Sequence, residues 1–209
     1  MNRMPLLVFG VFLTFAAAWL GLVAYPYVTL GQLQPVTDEN SGDVYPPSLS
    51  GLAATGQKVY ASNGCVYCHS QQVRPAYLTS DIANKLGPRR TVARDYLRDQ
   101  PAFTGSLRIG QDLTNYGLRA PSVNEIHRHL YDAQAVVRGS IMPSYRFLYT
   151  MRKISGQPSN GALTGLTGRH APAPGFEVVP TEDATVLAAY LLSLKRDYPL
   201  PEAPQETTE

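Results

Sequence analysis

Apolar residues dominate the N-terminal part of the chain, and no charged side chain occurs from Met4 to Val28. At about 1.5 Å per residue, an apolar helix of this length exceeds the roughly 30 Å hydrocarbon core of a bilayer and can span it with some tilt. Tyr25 and Tyr27 occupy positions typical of an interfacial aromatic belt, and Pro26 is expected to end the regular helix. The pattern predicts a single membrane anchor over residues 1–30.

A cleaved secretory signal is the alternative interpretation of this segment. Ala16 to Ala18 resemble a small-residue cleavage site, but only Arg3 precedes the apolar run as a basic residue, and the run continues well past the alanines. We therefore favour a retained anchor. Because Arg3 precedes the span and the next charge is Asp38, the amino end is expected inside and the rest of the chain across the membrane.

After the anchor, polar and apolar positions divide the chain into three further parts. Residues 31–49 are polar, lack apolar periodicity and contain a Pro-Pro pair, which is typical of a linker. Residues 50–198 hold the amphipathic segments and are expected to form one mainly α-helical domain with long loops. Residues 199–209 form a polar tail.

The first predicted helix of this domain covers Ser50–Ser62. Ser50 is its expected N-cap, and the apolar residues Leu52, Val59 and Tyr60 fall at helical spacing. Gly56 inside the helix costs about 1 kcal/mol relative to alanine. We therefore expect a close packing partner at Gly56.

Two later segments also show helical patterns. Ser122 and Glu125 form a capping box before apolar residues. The clearest helix, Thr181–Asp197, opens with a threonine cap followed by two acidic residues, which suit a helix N-terminus. Its single apolar face is formed by Val186, Leu187, Tyr190, Leu191 and Leu194.

The charge balance excludes one class of partner. The 209-residue chain has a formal net charge of +2, and its basic residues are scattered among acidic ones. Nucleic-acid-binding domains concentrate Lys and Arg in one patch, so we expect no nucleic-acid partner. We expect a solvated, self-paired face, with a docking surface for a neighbouring subunit as the alternative, for a set of charges at helical spacing: Arg89, Arg90, Arg94, Arg98, Asp95 and Asp99.

The two cysteines of the chain lie in one motif, GCVYCHSQQVRP, with His69 directly after Cys68. Three kinds of site use such a motif. A redox-active disulfide between Cys65 and Cys68 would sit at a strand-to-helix junction, and no strand is predicted before it. A zinc site would need two more ligands, which His127 and His129 could supply. Covalent haem attachment would use both thiols for thioether bonds and the adjacent imidazole for the iron.

Covalent haem attachment is the interpretation we favour. Two residues between the cysteines let both thioethers reach one macrocycle, and the neighbouring histidine is placed under the iron. The chain has no spare cysteine for an ordinary disulfide. The motif therefore predicts one covalent haem c, attached through Cys65 and Cys68, with His69 as an iron ligand.

Met142 is the favoured ligand on the other side of the iron. It lies in GSIMPSY, where a glycine and a proline restrict the backbone and provide a stiff loop. Met151 has apolar neighbours at helical spacing and is expected to fill the core. His127 and His129 are expected to be hydrogen-bonded helix residues, and His170 or an open site are further alternatives. His/Met ligation would raise the reduction potential, which suits an electron carrier.

These segments resemble known cytochromes at two levels. A glycine-containing helix before C-x-x-C-H and a closing helix with an apolar tyrosine resemble the crossed terminal helices of class I cytochromes c. GCVYCHSQQVRP, then RIGQDL from Arg108, then HRHLYDAQAVVRGSIMPSYRFL from His127, resemble the mono-haem cytochrome c subunit of cbb3-type oxidases, the C-family haem-copper oxidases. This second resemblance covers nearly the whole chain.

The second resemblance implies a single-pass protein of a bacterial inner membrane with its haem domain in the periplasm. It would relay electrons to an integral-membrane catalytic subunit that reduces oxygen, beside a further cytochrome c subunit, and would catalyse no reaction itself. Cys65 and Cys68 would attach haem c. His69 and Met142 would ligate its iron. Arg74 would lie near a haem propionate or a subunit contact, with a solvated surface arginine as the alternative.

Three departures from the family pattern are visible. Ile109 and Gln111 stand in a block that usually reads R-T-G-P-D-L. The proline carbonyl commonly accepts a hydrogen bond from the ligating histidine, so with Gln111 the orientation of His69 is expected to be looser. Thr104 replaces a tryptophan. The stretch between Met151 and Pro180 is rich in glycine and proline and is expected to form a long loop.

Other functions stay open as alternatives. Within the same chemistry, they are the cytochrome c subunit of a nitric oxide reductase and a free membrane-anchored carrier. An open-site haem enzyme of peroxidase type would bind carbon monoxide or cyanide readily. A zinc-binding module would be colourless.

Overall fold

A computed structural model of the protein describes residues 3–39, 41–49, 51–120 and 122–205. These residues form two compact units: one holds the residues up to Pro47 with Val92–Leu97, and the other holds Ser48–Thr91 with the residues from Arg98 onward. Ser50, the expected N-cap, lies outside the described residues, as do the last four residues of the polar tail.

The first unit begins with one long apolar helix. α1 (Met4–Trp19) continues through a π-helical segment (Leu20–Ala24) into α2 (Tyr25–Leu30). None of these residues is buried, and the helix is long and apolar enough to cross a membrane. The prediction that Pro26 ends the helix is wrong. Pro26 lies in the first turn of α2, directly after the wider π segment, where a missing backbone N–H is tolerated.

The segment predicted as a linker contains a small hairpin in the first unit. β1 (Val36–Thr37) pairs antiparallel with β2 (Val44–Tyr45). The backbone N–H of Asp38 donates to Asp43 O at 2.8 Å and closes the connection. Gly42 has φ +75°, a conformation that glycine adopts without strain, and it allows the chain to reverse.

The second unit is mainly helical. Its helices are α3 (Gly51–Ser62), α4 (Tyr116–Arg119), α5 (Val123–Tyr131), α6 (Ala133–Val136) and α7 (Glu182–Ser193). Its two strands, β3 (Tyr149–Lys153) and β4 (Phe176–Pro180), pair antiparallel. The predicted caps of two helices are confirmed: Ser122 Oγ accepts from Glu125 N at 3.1 Å, and Thr181 Oγ1 accepts from Ala184 N at 3.4 Å.

The packing of α3 against α7 forms the centre of the second unit. A Cβ atom at Gly56 would lie only 1.8 Å from Val186 O and 2.8 Å from Tyr190 Cβ. The expected close partner of Gly56 is therefore α7. The predicted apolar face of α7 is confirmed, because all five of its residues are buried. The Tyr60 and Tyr190 rings pack with centroids 5.3 Å apart, and Gln71 Nε2 donates to Tyr190 Oη at 3.0 Å.

Met151 is not the core residue that its spacing predicts. It lies in β3 opposite Val178, and it is 52% exposed. The neighbouring apolar residues suggested a helical period, but this segment is a strand whose first residue, Tyr149, is buried and whose other four residues, Met151 among them, are exposed. The predicted long loop is confirmed in part: residues 154–175 contain only the 3-10 turn Gly168–His170, and β4 follows them.

The predicted solvated face of arginines and aspartates is also wrong. Arg89 and Asp95 are each 1% exposed. The Arg89 guanidinium donates through Nε to Tyr198 O at 3.0 Å and lies 5.2 Å from the centre of the Tyr198 ring. Asp99 forms an ion pair with Arg196, which follows α7 in the chain. These charges therefore hold irregular chain segments together and do not line one solvent-facing helix.

Candidate cofactor site

The C-x-x-C-H motif follows α3 directly. Gly64 has φ +69°, which turns the chain out of the helix into a 3-10 turn over Cys65–Tyr67. Within this turn, the backbone N–H of Cys68 donates to Cys65 O at 3.2 Å and that of His69 donates to the same oxygen at 3.0 Å. The tight turn keeps the two thiols and the imidazole next to one another.

Two cavities adjoin at this motif. The larger, of about 420 Å³, is lined by both cysteines and His69, and it lies in the size range of small-molecule sites, roughly 300 to 1,000 Å³. The smaller, of about 100 Å³, extends toward the core between α3, α5 and α7. Both cavities are lined by Cys65, His69, Gln111, His129 and Met142.

The structure brings four of the five predicted site residues together. Cys65, Cys68, His69 and Met142 all line the larger cavity. Arg74 lines neither cavity; its side chain is exposed, and its backbone N–H donates to Asp81 Oδ2 at 2.8 Å.

A backbone carbonyl orients the His69 ring. The Nδ1 atom lies 2.8 Å from Gln111 O. Because a carbonyl oxygen only accepts hydrogen bonds, Nδ1 carries the proton and Nε2 keeps its lone pair free for a ligand. Gln111 therefore makes the contact that a proline carbonyl makes in the family pattern, despite the expected loss of backbone restriction.

Gly110 lets the chain approach the His69 ring closely. A Cβ atom at Gly110 would lie 2.3 Å from His69 Cε1, 2.7 Å from Nδ1 and 2.8 Å from Nε2. The backbone N–H of Gly110 also donates to Cys68 O at 2.9 Å. Gly110 was not among the predicted site residues, and its one signal in the sequence is its position directly before Gln111 in RIGQDL.

The loop that carries Met142 is fixed to α5. The backbone N–H of Tyr145 donates to Leu130 O at 2.8 Å, and Ser140 Oγ accepts from Met142 N at 3.3 Å. Gly139 has φ +81° at the start of the loop, and Pro143 follows the methionine. The thioether is thus held at the cavity by a short and restricted segment, as the sequence predicts.

The other candidate ligands divide into two groups. Met151 is exposed on β3, the buried His127 ring contacts Tyr149 Oη at 3.0 Å, and His170 lies beside two arginines. None of these three lines either cavity. His129 lies half-buried on α5 and lines both cavities. Its burial and the nearby His69 lower the pKa of His129. The sequence placed His129 among structural histidines and missed its position at the cavity.

The Cys65 thiol is partly buried, and its surroundings affect its charge state. Burial raises the pKa of Cys65 to about 11, so its thiol is protonated at neutral pH. Burial likewise raises the pKa of Tyr145, which hydrogen-bonds the Cys65 sulfur, to about 12. Among the described residues, no three His, Cys, Asp or Glu side chains lie close enough together to hold a metal ion.

The donors fit a haem better than a bare metal ion. Two thiols, one imidazole with a free Nε2 and one thioether face a common space, which is the donor set of a covalently attached haem with His and Met ligands. The inner wall of this space is apolar, as a macrocycle requires. It is formed by Leu113, Ile126, Leu130, Leu187 and Leu191.

A family of known proteins matches most of the chain. The model of the family described as FixO, the mono-heme subunit of cytochrome C oxidase, matches residues 3–161. This range includes the N-terminal helix, the C-x-x-C-H motif and Met142, and it ends before α7. No curated protein matches the chain.

Proposed function

We propose the function of this chain from its membership of the FixO family, the mono-haem subunits of cbb3-type cytochrome c oxidase. The family implies a haem cofactor and a place in a multi-subunit oxidase with a catalytic subunit as partner. The chain would act there as an electron-transfer subunit that catalyses no bond-forming step itself. The observation that carries this proposal is the convergence of Cys65, Cys68, His69 and Met142 on one cavity.

The haem would be held by four side chains. Cys65 and Cys68 would form the two thioether bonds, and His69 Nε2 and the Met142 sulfur would ligate the iron. When bound, the haem supplies one-electron chemistry, because its iron exchanges a single electron between the ferric and ferrous states. The chain's contribution is to fix both ligands and so limit the rearrangement that accompanies the electron.

Three features of the chain would set the reduction potential. The Gln111 carbonyl makes the His69 imidazole a stronger electron donor by accepting its Nδ1–H bond. The apolar wall of the smaller cavity excludes water from that side of the site and disfavours extra positive charge. The thioether of Met142 acts in the same direction as the apolar wall and raises the potential.

The N-terminal helix would anchor the haem domain to a membrane. The helix Met4–Leu30 is 27 residues long, about 40 Å at 1.5 Å per residue, which exceeds a hydrocarbon core of roughly 30 Å. With Arg3 as the only early charge, the amino end would lie in the cytoplasm and the haem domain in the periplasm of a bacterial inner membrane. The domain would occupy residues 50–198 and have the class I cytochrome c fold.

The partners follow from this placement. An integral-membrane catalytic subunit would accept the electrons and reduce oxygen, and a further cytochrome c subunit would supply them. Arg74 is exposed and would be available for a subunit contact; a propionate contact has no support, because Arg74 lines neither cavity.

Purification of the full chain from its native membranes in mild detergent tests this function. We expect a reduced haem c spectrum and a co-purifying subunit with many membrane helices that contains copper. A partner with non-haem iron would indicate a nitric oxide reductase, and a chain that purifies alone would indicate a free carrier. Ready binding of carbon monoxide to the haem of this subunit would contradict His/Met ligation and favour an open-site enzyme.

A further inference from the structure

Two chain segments are joined next to the His69 ring. We call residues 70–72, directly after His69, the ligand segment, and residues 108–113 the clamp segment. The clamp segment carries Gln111, whose carbonyl accepts the His69 hydrogen bond. Backbone hydrogen bonds connect the clamp segment to the chain on both sides of His69: Gly110 N donates to Cys68 O at 2.9 Å, and Leu113 N donates to Ser70 O at 2.8 Å.

Arg108 binds the ligand segment from the start of the clamp segment. Its Nη1 and Nη2 atoms donate to the two carboxylate oxygens of Asp81 at 2.5 and 2.8 Å. Its Nε donates to Ser70 Oγ at 2.8 Å, and its Nη2 also donates to Gln72 O. The Arg108 and Asp81 side chains are only 20% and 6% exposed. Such a two-pronged, partly buried ion pair restricts both partners far more than an exposed pair does.

Asp112 binds the same segment from the other side of Gln111. The buried carboxylate accepts from Ser70 Oγ at 2.7 Å and from Gln72 N at 2.8 Å through one oxygen. Its second oxygen accepts from Thr114 N at 2.9 Å. The side chains of Arg108 and Asp112 therefore hold the ligand segment before and after Gln111.

We propose that Arg108 is a positioning residue for the iron ligand His69. Its contacts with Ser70, Gln72 and Asp81 fix the chain after His69 relative to the carbonyl that orients the ring. This inference rests on the proposed haem function. Lysine cannot replace arginine here, because a single ammonium group cannot bind two carboxylate oxygens and Ser70 Oγ in a planar arrangement.

The positioning role predicts the direction of a change in reduction potential. A hydrogen bond from the ring N–H of a ligating histidine to a carbonyl increases the basicity of the ligand and stabilises the ferric state. Loosening the clamp segment weakens the hydrogen bond between His69 Nδ1 and Gln111 O. The reduction potential should then shift to a more positive value.

Redox titration of full-length, haem-loaded variants tests the proposal. Arg108→Lys keeps the charge and removes the two-pronged geometry, so a potential shift in this variant cannot come from net charge. Asp81→Asn removes the negative charge and one of the two oxygens that accept hydrogen bonds from Arg108. Arg128→Lys is a matched control, because Arg128 Nη1 binds Glu125 Oε1 at the same 2.5 Å and is 22% exposed. We expect positive shifts for Arg108→Lys and Asp81→Asn and no shift for Arg128→Lys.

The outcomes separate the proposal from its alternatives. An unchanged potential in Arg108→Lys overturns the positioning role, even if Asp81→Asn shifts through its lost charge. If Arg108→Lys does not accumulate as folded protein, the exchange rate of the His69 ring N–H proton is compared between Asp81→Asn and wild type. Faster exchange in Asp81→Asn supports the positioning role, and an unchanged rate overturns it. A wild-type chain without covalent haem contradicts the proposed function instead.

Discussion

The substitution Gly110→Ala is expected to displace the His69 ring. Gly110 is not one of the glycines with positive φ, so the expected effect of alanine comes from the contacts of the new methyl group. That methyl group would lie 2.3 Å from His69 Cε1 and less than 3 Å from both ring nitrogens. Ordinary contact needs about 3.4 Å, so the ring or the chain at Gly110 must move by about 1 Å.

A movement of this size breaks the hydrogen bond that orients the ring. The bond from His69 Nδ1 to Gln111 O is 2.8 Å long, and about 1 Å more takes it beyond hydrogen-bonding distance. Its loss costs about 1 kcal/mol, and the overpacking costs about 1 to 3 kcal/mol. A total of about 3 kcal/mol lowers the melting temperature by about 6 to 12 °C for a chain of this size.

Thermal unfolding and absorption spectra of the full chain in detergent measure this effect. We expect a lower melting temperature for Gly110→Ala, together with a larger high-spin fraction of ferric haem, because the displaced imidazole ligates less well. Gly10→Ala is the control, since a Cβ there meets no atom within 4 Å. A Gly110→Ala protein with the melting temperature and spectrum of the wild type would refute this account of the His69 environment.

Three further predictions address the other ligand, the helix packing and the pH dependence. Met142→His should lower the reduction potential, because an imidazole replaces the thioether; an unchanged potential in a redox titration rejects Met142 as ligand. Gly56→Ala should lower the melting temperature by separating α3 from α7, as overpacking costs about 1 to 3 kcal/mol; an equal or higher value contradicts the packing. Burial raises the pKa of Asp81, but hydrogen bonds from Arg108 and the Arg74 N–H lower it overall. Asp81 therefore stabilises the fold above its unfolded pKa of about 4, and this stability is lost as pH falls through the lower folded pKa. Melting curves should show a shallower loss of stability below pH 4 in Asp81→Asn than in wild type, and parallel curves would contradict the assignment.

Local sequence signals predicted those features that depend on neighbouring residues. Ser122 and Thr181 cap their helices as predicted, because a cap bond spans only three residues. The apolar face of α7 is buried because its residues repeat at helical spacing. Gly56 indicated a close contact, and the structure supplies α7 as the partner.

Features that depend on distant residues were not visible in the sequence. The pairing of β3 with β4 joins segments more than twenty residues apart, and it makes a strand of the segment in which the apolar spacing of Met151 suggested a helix. Arg89 looked like a surface charge, but the carbonyl of Tyr198 allows its burial.

The sequence predicted the residues that would bind the cofactor, but it did not predict the residues that hold them in place. Cys65, Cys68 and His69 are adjacent in the chain, and Met142 stood out through its glycine and proline neighbours. Gly110 and Arg108 act through contacts with residues about forty positions away, which no local pattern reveals. The position of His129 at the cavity likewise depends on how α5 packs.

The mass of the denatured full-length chain shows whether a haem is covalently attached to it. We expect protein purified from its native membranes to carry the added mass of one haem after unfolding and extraction with acidified acetone, and we expect Cys65→Ala with Cys68→Ala to remove this mass. A chain that has only the mass of its own residues, with all colour in the acetone, would contradict a haem attached through the two cysteines.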